Sequence, residues 1–277
     1  KYLSKCLKSI LDQSYNNWEV IFWDNCSNDN SEKIYKNFND KRFLYFKSKE
    51  LTNLSIARNL AVSNTKGKYV CFIDVDDYWE TNKLAEQMKV IEKKNAALVF
   101  TNFHIKNSFN NKKKIFISFK IDNKNITNYF LKKYPVGIST IMFNKDIIKE
   151  NLFDEKYHII GDFDFVMRAS LKYKIFGINN SLVTIQLHES NETKKKLKLY
   201  VLELLIWYKK YGDKYSGFSN FKKLKSNIYY ELCKACLNQK MINRMLKFYK
   251  NIDIIHKIKI ILLTFQKLPK LYDKSKN

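Results

Sequence analysis

Three carboxylates fall within four positions of this chain, Asp74, Asp76 and Asp77, directly after the apolar run Tyr69-Val70-Cys71-Phe72-Ile73. β-Branched and aromatic residues in that run predict a buried strand. A strand that ends in acids sets them outside its carboxyl end, where open α/β sheets bind ligands. Clustered carboxylates repel one another, and a cation relieves the repulsion. Hard oxygen ligands suit Mn²⁺ or Mg²⁺, ions that commonly bridge protein carboxylates to phosphates. The plainer alternative is an acidic turn capping the next helix. Other polar groups stand at predicted element ends. Asp24 closes the apolar run Trp18–Trp23, Asp162 and Asp164 open a helix near its positive end, and His188 follows the run Leu182–Leu187.

Elements must hold these groups in place, and their order is legible. Tyr2, Leu3, Cys6, Leu7, Ile10 and Leu11 predict an amphipathic helix over 2–13. A strand over Trp18–Trp23 leads into a polar turn, where Asp29 or Ser31 caps a helix over Glu32–Phe38. Further strands are expected at Phe43–Phe46, Ala96–Phe103, Lys112–Phe119, Thr140–Phe143 and Leu182–Leu187, with helices at Ser55–Asn64, Lys83–Lys94 and 126–133. A loop over 135–140 precedes the fourth of these strands. Strands alternating with helices predict an α/β fold, with a mostly parallel sheet and helices on both faces. Doubly wound sheets open on a strand, whereas this chain opens on a helix. That order predicts roughly ten further residues, one strand, upstream of Lys1.

Among 277 residues, 51 Lys and Arg oppose 27 Asp and Glu, a net charge of +24. Residues 190–277 hold 21 basic and 6 acidic side chains, so +15 lies in the last third. Beyond Asn191 only helical periodicity remains, over about 194–211, 220–239, 241–250 and 252–266, and the shift near 190 predicts a domain boundary. A basic tail seeks an anionic partner, nucleic acid or acidic lipid. Its aromatics, Tyr200, Trp207, Tyr208, Tyr211, Tyr229 and Tyr230, occur at a helical spacing that favours core packing over base stacking. Basic amphipathic helices with Trp and Tyr suit an anionic membrane, so lipid is the expected partner and nucleic acid is not. No apolar run approaches the roughly 18 residues of a spanning helix. Of five cysteines, Cys6, Cys26 and Cys71 lie among apolar residues, and Cys233 and Cys236 form a lone CxxC in a helical pattern. No disulfide framework follows, which points to a reducing compartment.

Together these residues resemble the inverting family 2 glycosyltransferases of the GT-A fold, of the type that builds bacterial surface polysaccharides. Asp24 with Ser27-Asn28-Asp29 is similar to the family's first nucleotide turn, DDGSxD, with Asn25 for the second acid and Cys26 for the glycine. Ala57-Arg58-Asn59 resembles its Ala-Arg-Asn helix, and Asp74 to Asp77 its Asp-x-Asp with an extra acid. Trp79, Lys83-Leu84 and Gln87 resemble the usual continuation. Gly161-Asp162-Phe163-Asp164 stands where the family has Glu-Asp-x-Asp, glycine replacing glutamate, and His188-Glu189-Ser190 resembles its closing histidine motif. The likeness covers roughly residues 1–192, and the opening strand is missing from it.

The resemblance implies a catalytic domain over 1–190, with a nucleotide-binding part about 1–100 and an acceptor part about 101–190, followed by a helical appendage over 191–277. It implies transfer from a nucleotide sugar, with UDP expected, to a hydroxyl of a glycan or lipid-linked acceptor, with inversion, in cell-surface polysaccharide or lipooligosaccharide synthesis on the inner face of the cytoplasmic membrane. Asp24 would accept a hydrogen bond from the base. Arg58 would meet either the base or the central carboxylates, unless it is a surface ion pair. Asp76 would be the main ligand of Mn²⁺ or Mg²⁺ with His188 completing it, Asp74 would lie towards the ribose or donor sugar, and Asp77 would orient the turn. Asp162 would be the general base, with Asp164 either a helix-cap residue or its substitute. Donor choice would rest on loops near 135–140 and 155–162. An inactive relative and a basic nucleic-acid- or membrane-binding protein are the alternatives.

Overall fold

The computed structural model describes residues 2–107, 113–115, 121–150, 153–189, 191–238 and 241–272, which form two compact units divided near Asn191, with Leu131–Lys133 in the second. In the first unit the apolar spacing at the N-terminus produces helix α1 (Leu3–Leu11), with Leu3, Leu7 and Ile10 buried. Strands β1 (Val20–Asp24) and β2 (Phe43–Lys47) pair in parallel across α2 (Ser31–Lys36). Leu3, Leu7, Phe22, Tyr35 and Phe43 close one apolar cluster between these elements. Each such side chain contributes about 1.5–3 kcal/mol through burial.

Next come α3 (Leu54–Ser63), β3 (Tyr69–Cys71), the two-residue β4 (Tyr78–Trp79), α4 (Lys83–Lys94) and β5 (Leu98–Asn107). Asn53 caps α3, its Oδ1 accepting from the Ile56 N–H at 2.9 Å. Asn95 ends α4 with φ 47°, a left-handed conformation that Asn tolerates. β6 (Lys113–Ile115), α5 (Ile126–Lys132), a 3₁₀ turn over Ile138–Thr140, β7 (Ile141–Asn144), α6 (Lys145–Glu150), α7 (Gly161–Lys172) and β8 (Ile175–Leu187) follow. The rest of the strand expected over Lys112–Phe119 lies outside the described residues.

The large sheet runs β3-β7-β5-β8-β4, with β6 on β5. Its pairing corrects the expectation of a mostly parallel sheet. Among the described residues β5 with β8, and β1 with β2, are parallel, whereas β3/β7, β5/β7, β4/β8 and β5/β6 are antiparallel. Alternation with helices governs the first half of the chain. In the second half β7 inserts between β3 and β5 from a short turn, and β6 returns on β5 as a hairpin would. Leu98, Val99 and Phe100 are fully buried, as a continuous apolar run requires. β8 begins well before Leu182 because the apolar stretch Ile175 to Ile178 already pairs with β5. The register shifts around Asn102, whose Nδ2 donates to the Asn179 carbonyl at 2.8 Å, as a bulge demands. Gly177 permits the close approach, since a Cβ there would meet Phe100 and Ile121 at 2.7 Å.

Among the described residues no ladder joins the β1–β2 pair to the large sheet. A cavity of about 670 Å³ lies between β1 and β3, lined by Val20, Ile21, Val62, Val70, Cys71 and Leu84 among others.

The second unit is helical, with α8 (Glu192–Lys195), α9 (Leu197–Tyr211), α10 (Phe221–Asn238), α11 (Ile242–Tyr249) and α12 (Ile254–Tyr272). Trp207 and Tyr215 are fully buried, and Cys233 and Cys236 pack against Met245, Ile252 and Ile260. The CxxC is therefore core, and Cys6 is buried too, but Cys26 is exposed in its polar turn, against the expectation of apolar surroundings; all five cysteines are free. No helix among the described residues is long and apolar enough to cross a membrane.

Candidate active site

The acidic turn follows β3 and closes on itself, with the Asp77 N–H donating to the Asp74 carbonyl at 2.9 Å. Carboxylate oxygens of Asp74, Asp76 and Asp77 lie within 4.8 Å of one another. Asp77 is the buried member, at 4% exposure. Its Oδ2 accepts from the Ser139 hydroxyl at 2.6 Å and its Oδ1 from the Gln186 N–H at 3.2 Å. Burial, reinforced by the neighbouring Asp74 charge, pushes this carboxyl up to about 8. Ser139 also accepts from the Asp74 N–H at 3.0 Å, and its carbonyl accepts from Trp79 Nε1 at 3.0 Å. One hydroxyl on the 3₁₀ turn thus fixes both ends of the acidic turn.

Asp76 faces the end of β8. His188 Nε2 lies 2.8 Å from Asp76 Oδ2, and Asn191 Nδ2 donates to the same oxygen at 3.4 Å. Asn191 in turn accepts from the His188 N–H at 2.7 Å, and the Tyr2 ring stacks on the imidazole at 5.2 Å. On the other side, Arg58 Nη2 of α3 stands 3.6 Å from Asp74 Oδ1. The carboxylates of Asp74 and Asp76, hard oxygen donors, with the borderline imidazole nitrogen of His188 beside them, make a set that fits Mn²⁺ or Mg²⁺. Asp74 and Asp76 present oxygens outward, while both Asp77 oxygens are engaged.

Asp162 sits in the first turn of α7, where its Oδ1 accepts from the Phe163 N–H at 2.8 Å. Burial lifts its pKa above the usual carboxylate value, against the pull of the Arg58 charge. Asp74 feels the Asp162 charge as well, so Arg58 serves both carboxylates. The preceding loop is docked on α3. Ser55 donates to the Tyr157 carbonyl at 2.6 Å, Asn53 to the Glu155 carbonyl at 2.7 Å, and Asn59 to the Phe153 carbonyl at 3.0 Å. That docking explains Gly161, because a Cβ there would meet Ser55 Oγ at 2.5 Å. Glutamate has no room at this position.

Asp164 does not join the cluster. It is fully buried, and its Oδ2 accepts from Arg168 Nε at 2.9 Å and Nη2 at 2.7 Å. Arg168→Met should cost about 3–5 kcal/mol in urea unfolding, because it strands a buried carboxylate, and adding Asp164→Leu should recover much of the loss.

Asp24 is also held apart in its own network, at 3% exposure. Its Oδ1 accepts from the Ser27 N–H at 2.7 Å and its Oδ2 from the Tyr45 hydroxyl at 2.5 Å. Burial alone would raise its pKa, but the Tyr45 and Ser27 hydrogen bonds outweigh it and hold the carboxyl below its ordinary value. Asn25 ties this turn to Thr52, donating to its carbonyl at 2.8 Å and accepting from its hydroxyl at 2.9 Å. Cys26 occupies φ 65°, the left-handed region that favours glycine. Cys26→Gly should therefore raise stability by about 1 kcal/mol, read as a higher thermal midpoint.

Ser139, Asn191 and Tyr2 were invisible as site residues in the sequence. Ser139 carries only a weak signal, a hydroxyl inside an otherwise apolar stretch, and Asn191 and Tyr2 have none.

Comparison with known proteins now bears on this geometry. The sequence profile described as "Glycosyl transferase family 2" matches residues 1–153, more than half of the chain. The chain belongs to glycosyl transferase family 2. An uncharacterized glycosyltransferase of Methanocaldococcus jannaschii is 30% identical over 217 residues, covering 72% of each chain. The Escherichia coli enzyme WfgD, named a UDP-Glc:alpha-D-GlcNAc-diphosphoundecaprenol beta-1,3-glucosyltransferase, is 30% identical over 146 residues, covering 53% of this transferase and 56% of its own length. A Rickettsia conorii glycosyltransferase matches 92% of this chain at 27% identity, yet the match spans only 43% of that protein. Among solved structures, Staphylococcus aureus TarS in complex with UDP-GlcNAc aligns with a TM-score of 0.66 at 16% identity, covering 91% of this chain and 78% of that one. The mannosyltransferase PcManGT of Pyrobaculum calidifontis, in complex with GDP-Man and Mn²⁺, aligns with a TM-score of 0.62 at 12% identity, covering 99% and 78%. At these identities the structures establish the fold of the transferase, which is GT-A.

Proposed function

We propose that this transferase moves a sugar from a UDP-sugar to a hydroxyl of a glycan or lipid-linked glycan with inversion, in bacterial surface-polysaccharide synthesis on the cytoplasmic side. One observation carries the reading: Arg58 stands 3.6 Å from Asp74 of the acidic turn, and its charge acts on both Asp74 and Asp162, which links the candidate donor anchor to the candidate base. The names of relatives support the substrate class, since WfgD takes UDP-Glc and a diphosphoundecaprenol acceptor, and TarS is known with UDP-GlcNAc.

In this reading the turn around Asp24 and Asn25 shapes the base pocket. Asp74 and Asp76, with His188, would hold a divalent cation, while Ser139 fixes the acidic turn through Asp77 and the Asp74 N–H. When bound, that cation supplies Lewis-acid stabilisation of the departing phosphate oxygen. Asp162 accepts the proton of the acceptor hydroxyl as its oxygen forms a bond to the anomeric carbon. The bond from that carbon to the diphosphate breaks, and its electron pair leaves with the nucleotide. Attack from the face opposite the leaving group inverts the centre in one step.

Incubation with a panel of UDP- and GDP-sugars, Mn²⁺ and a lipid-diphosphate-linked saccharide tests this directly. Nucleotide release that depends on the acceptor, above all with a UDP-sugar, is the expected outcome. Donor hydrolysis insensitive to any acceptor, or no release at all, would refute the proposed transfer.

A further inference from the structure

The molecule presents one helix face for which the transfer reaction has no use. Ile254, Ile255, Ile258, Ile261 and Leu262 of α12 are 44–69% exposed. Their spacing of i, i+1, i+4, i+7 and i+8 sets all five on one side of a helix with 3.6 residues per turn. The opposite side is already occupied. Ile260 is buried there, and with Leu263 it packs in the cluster of Cys233, Met245 and Ile252. The outward stripe is bordered by Lys257 on one flank and Lys259 on the other. From Ile254 to Tyr272 the helix carries no acidic residue. Asp253, just before it, is tied to Ser226 and to the His256 N–H, each at 2.9 Å. On α11, Ile242 and Leu246 are also exposed, one turn apart, beside Lys247 and Lys250.

We infer that the outward face of α12 docks on an anionic lipid surface, the aliphatic stripe entering the boundary between headgroups and acyl chains and the flanking lysines reaching the phosphates. The charge selects this occupant. The chain carries +24, so pairing the stripe with a second copy would bring lysine borders together. Nucleic acid gains little from it, because bases stack on aromatic rings and the stripe holds only Ile and Leu. With no helix among the described residues able to cross a membrane, this attachment lies along the surface. The inference stands on the second unit alone and is independent of the transfer reading.

Co-sedimentation of the full chain with vesicles provides the test. Vesicles of phosphatidylcholine mixed with phosphatidylglycerol should bind at least about tenfold more tightly than phosphatidylcholine alone, with high salt weakening the attachment. Ile258→Glu combined with Leu262→Glu should abolish vesicle binding, with circular dichroism unchanged because both side chains are exposed. Lys257→Gln with Lys259→Gln should weaken binding and blunt its salt dependence. Four outcomes would overturn the proposal. They are equal binding to neutral and anionic vesicles, binding that survives the double glutamate variant, absence of binding, and a concentration-dependent dimer that the same variant dissolves. RNA retention lost in that variant without any vesicle binding would likewise reassign the face.

Discussion

Asp76→Asn is expected to lower transfer by about a thousandfold or more while leaving the thermal midpoint nearly unchanged. The substitution keeps volume and one oxygen, and the side chain is 21% exposed, so little packing is lost. What disappears is the negative charge at the centre of the set formed with Asp74 and His188. Without it the set would bind a cation poorly, and the negative charge developing on the leaving diphosphate would lose that cation. Chelation with EDTA should bring the wild-type protein down to the level of the variant, and added Mn²⁺ should restore only the wild type. Full turnover in EDTA would make the three acids a structural turn and nothing more. Asp77→Asn makes a useful contrast, since its oxygens bind Ser139 and the Gln186 N–H. That variant should lose stability and activity together.

Asp162→Asn is the second large effect, an expected loss of about 10²–10⁴-fold in kcat with the affinity for UDP little altered. The base acts only when ionised. Burial raises its pKa above the usual carboxylate value, so wild-type turnover should fall as pH drops through that raised value and level off above it. The asparagine variant should lose this acid limb from whatever activity survives. A merely structural aspartate would instead change stability and leave the shape of the pH profile intact. Asp164→Asn provides the internal control. Its carboxylate is committed to Arg168 and fully buried, so the expected damage is to folding. A normal midpoint with lost kcat in that variant would exchange the two roles.

Much of this arrangement was legible from residue types. The acid triplet after an apolar run does form one carboxylate cluster, and Gly161-Asp162-Phe163-Asp164 does open α7. Cys26, where the family motif has glycine, adopts the left-handed φ of 65°. Pairing was harder to read. The antiparallel entry of β7 leaves no trace in a short run such as Ile141–Asn144, because direction is set by neighbours distant in sequence. Similarly, the first part of β8 was missed because Asn179 and Asn180 interrupt its apolar run, and the structure leaves these two out of the β5 ladder at the register shift. The division of labour between Asp162 and Asp164 was equally hidden. It depends on which carboxylate Arg168 reaches one helical turn away, and sequence spacing allowed either.

The loop before α7 is stitched to α3 through Asn53, Ser55 and Asn59. The same helix carries Arg58, whose guanidinium stands 3.6 Å from Asp74. Asp162 and Arg58 therefore share one mount, and a substitution that loosened it would displace both groups together, lowering turnover without altering either side chain.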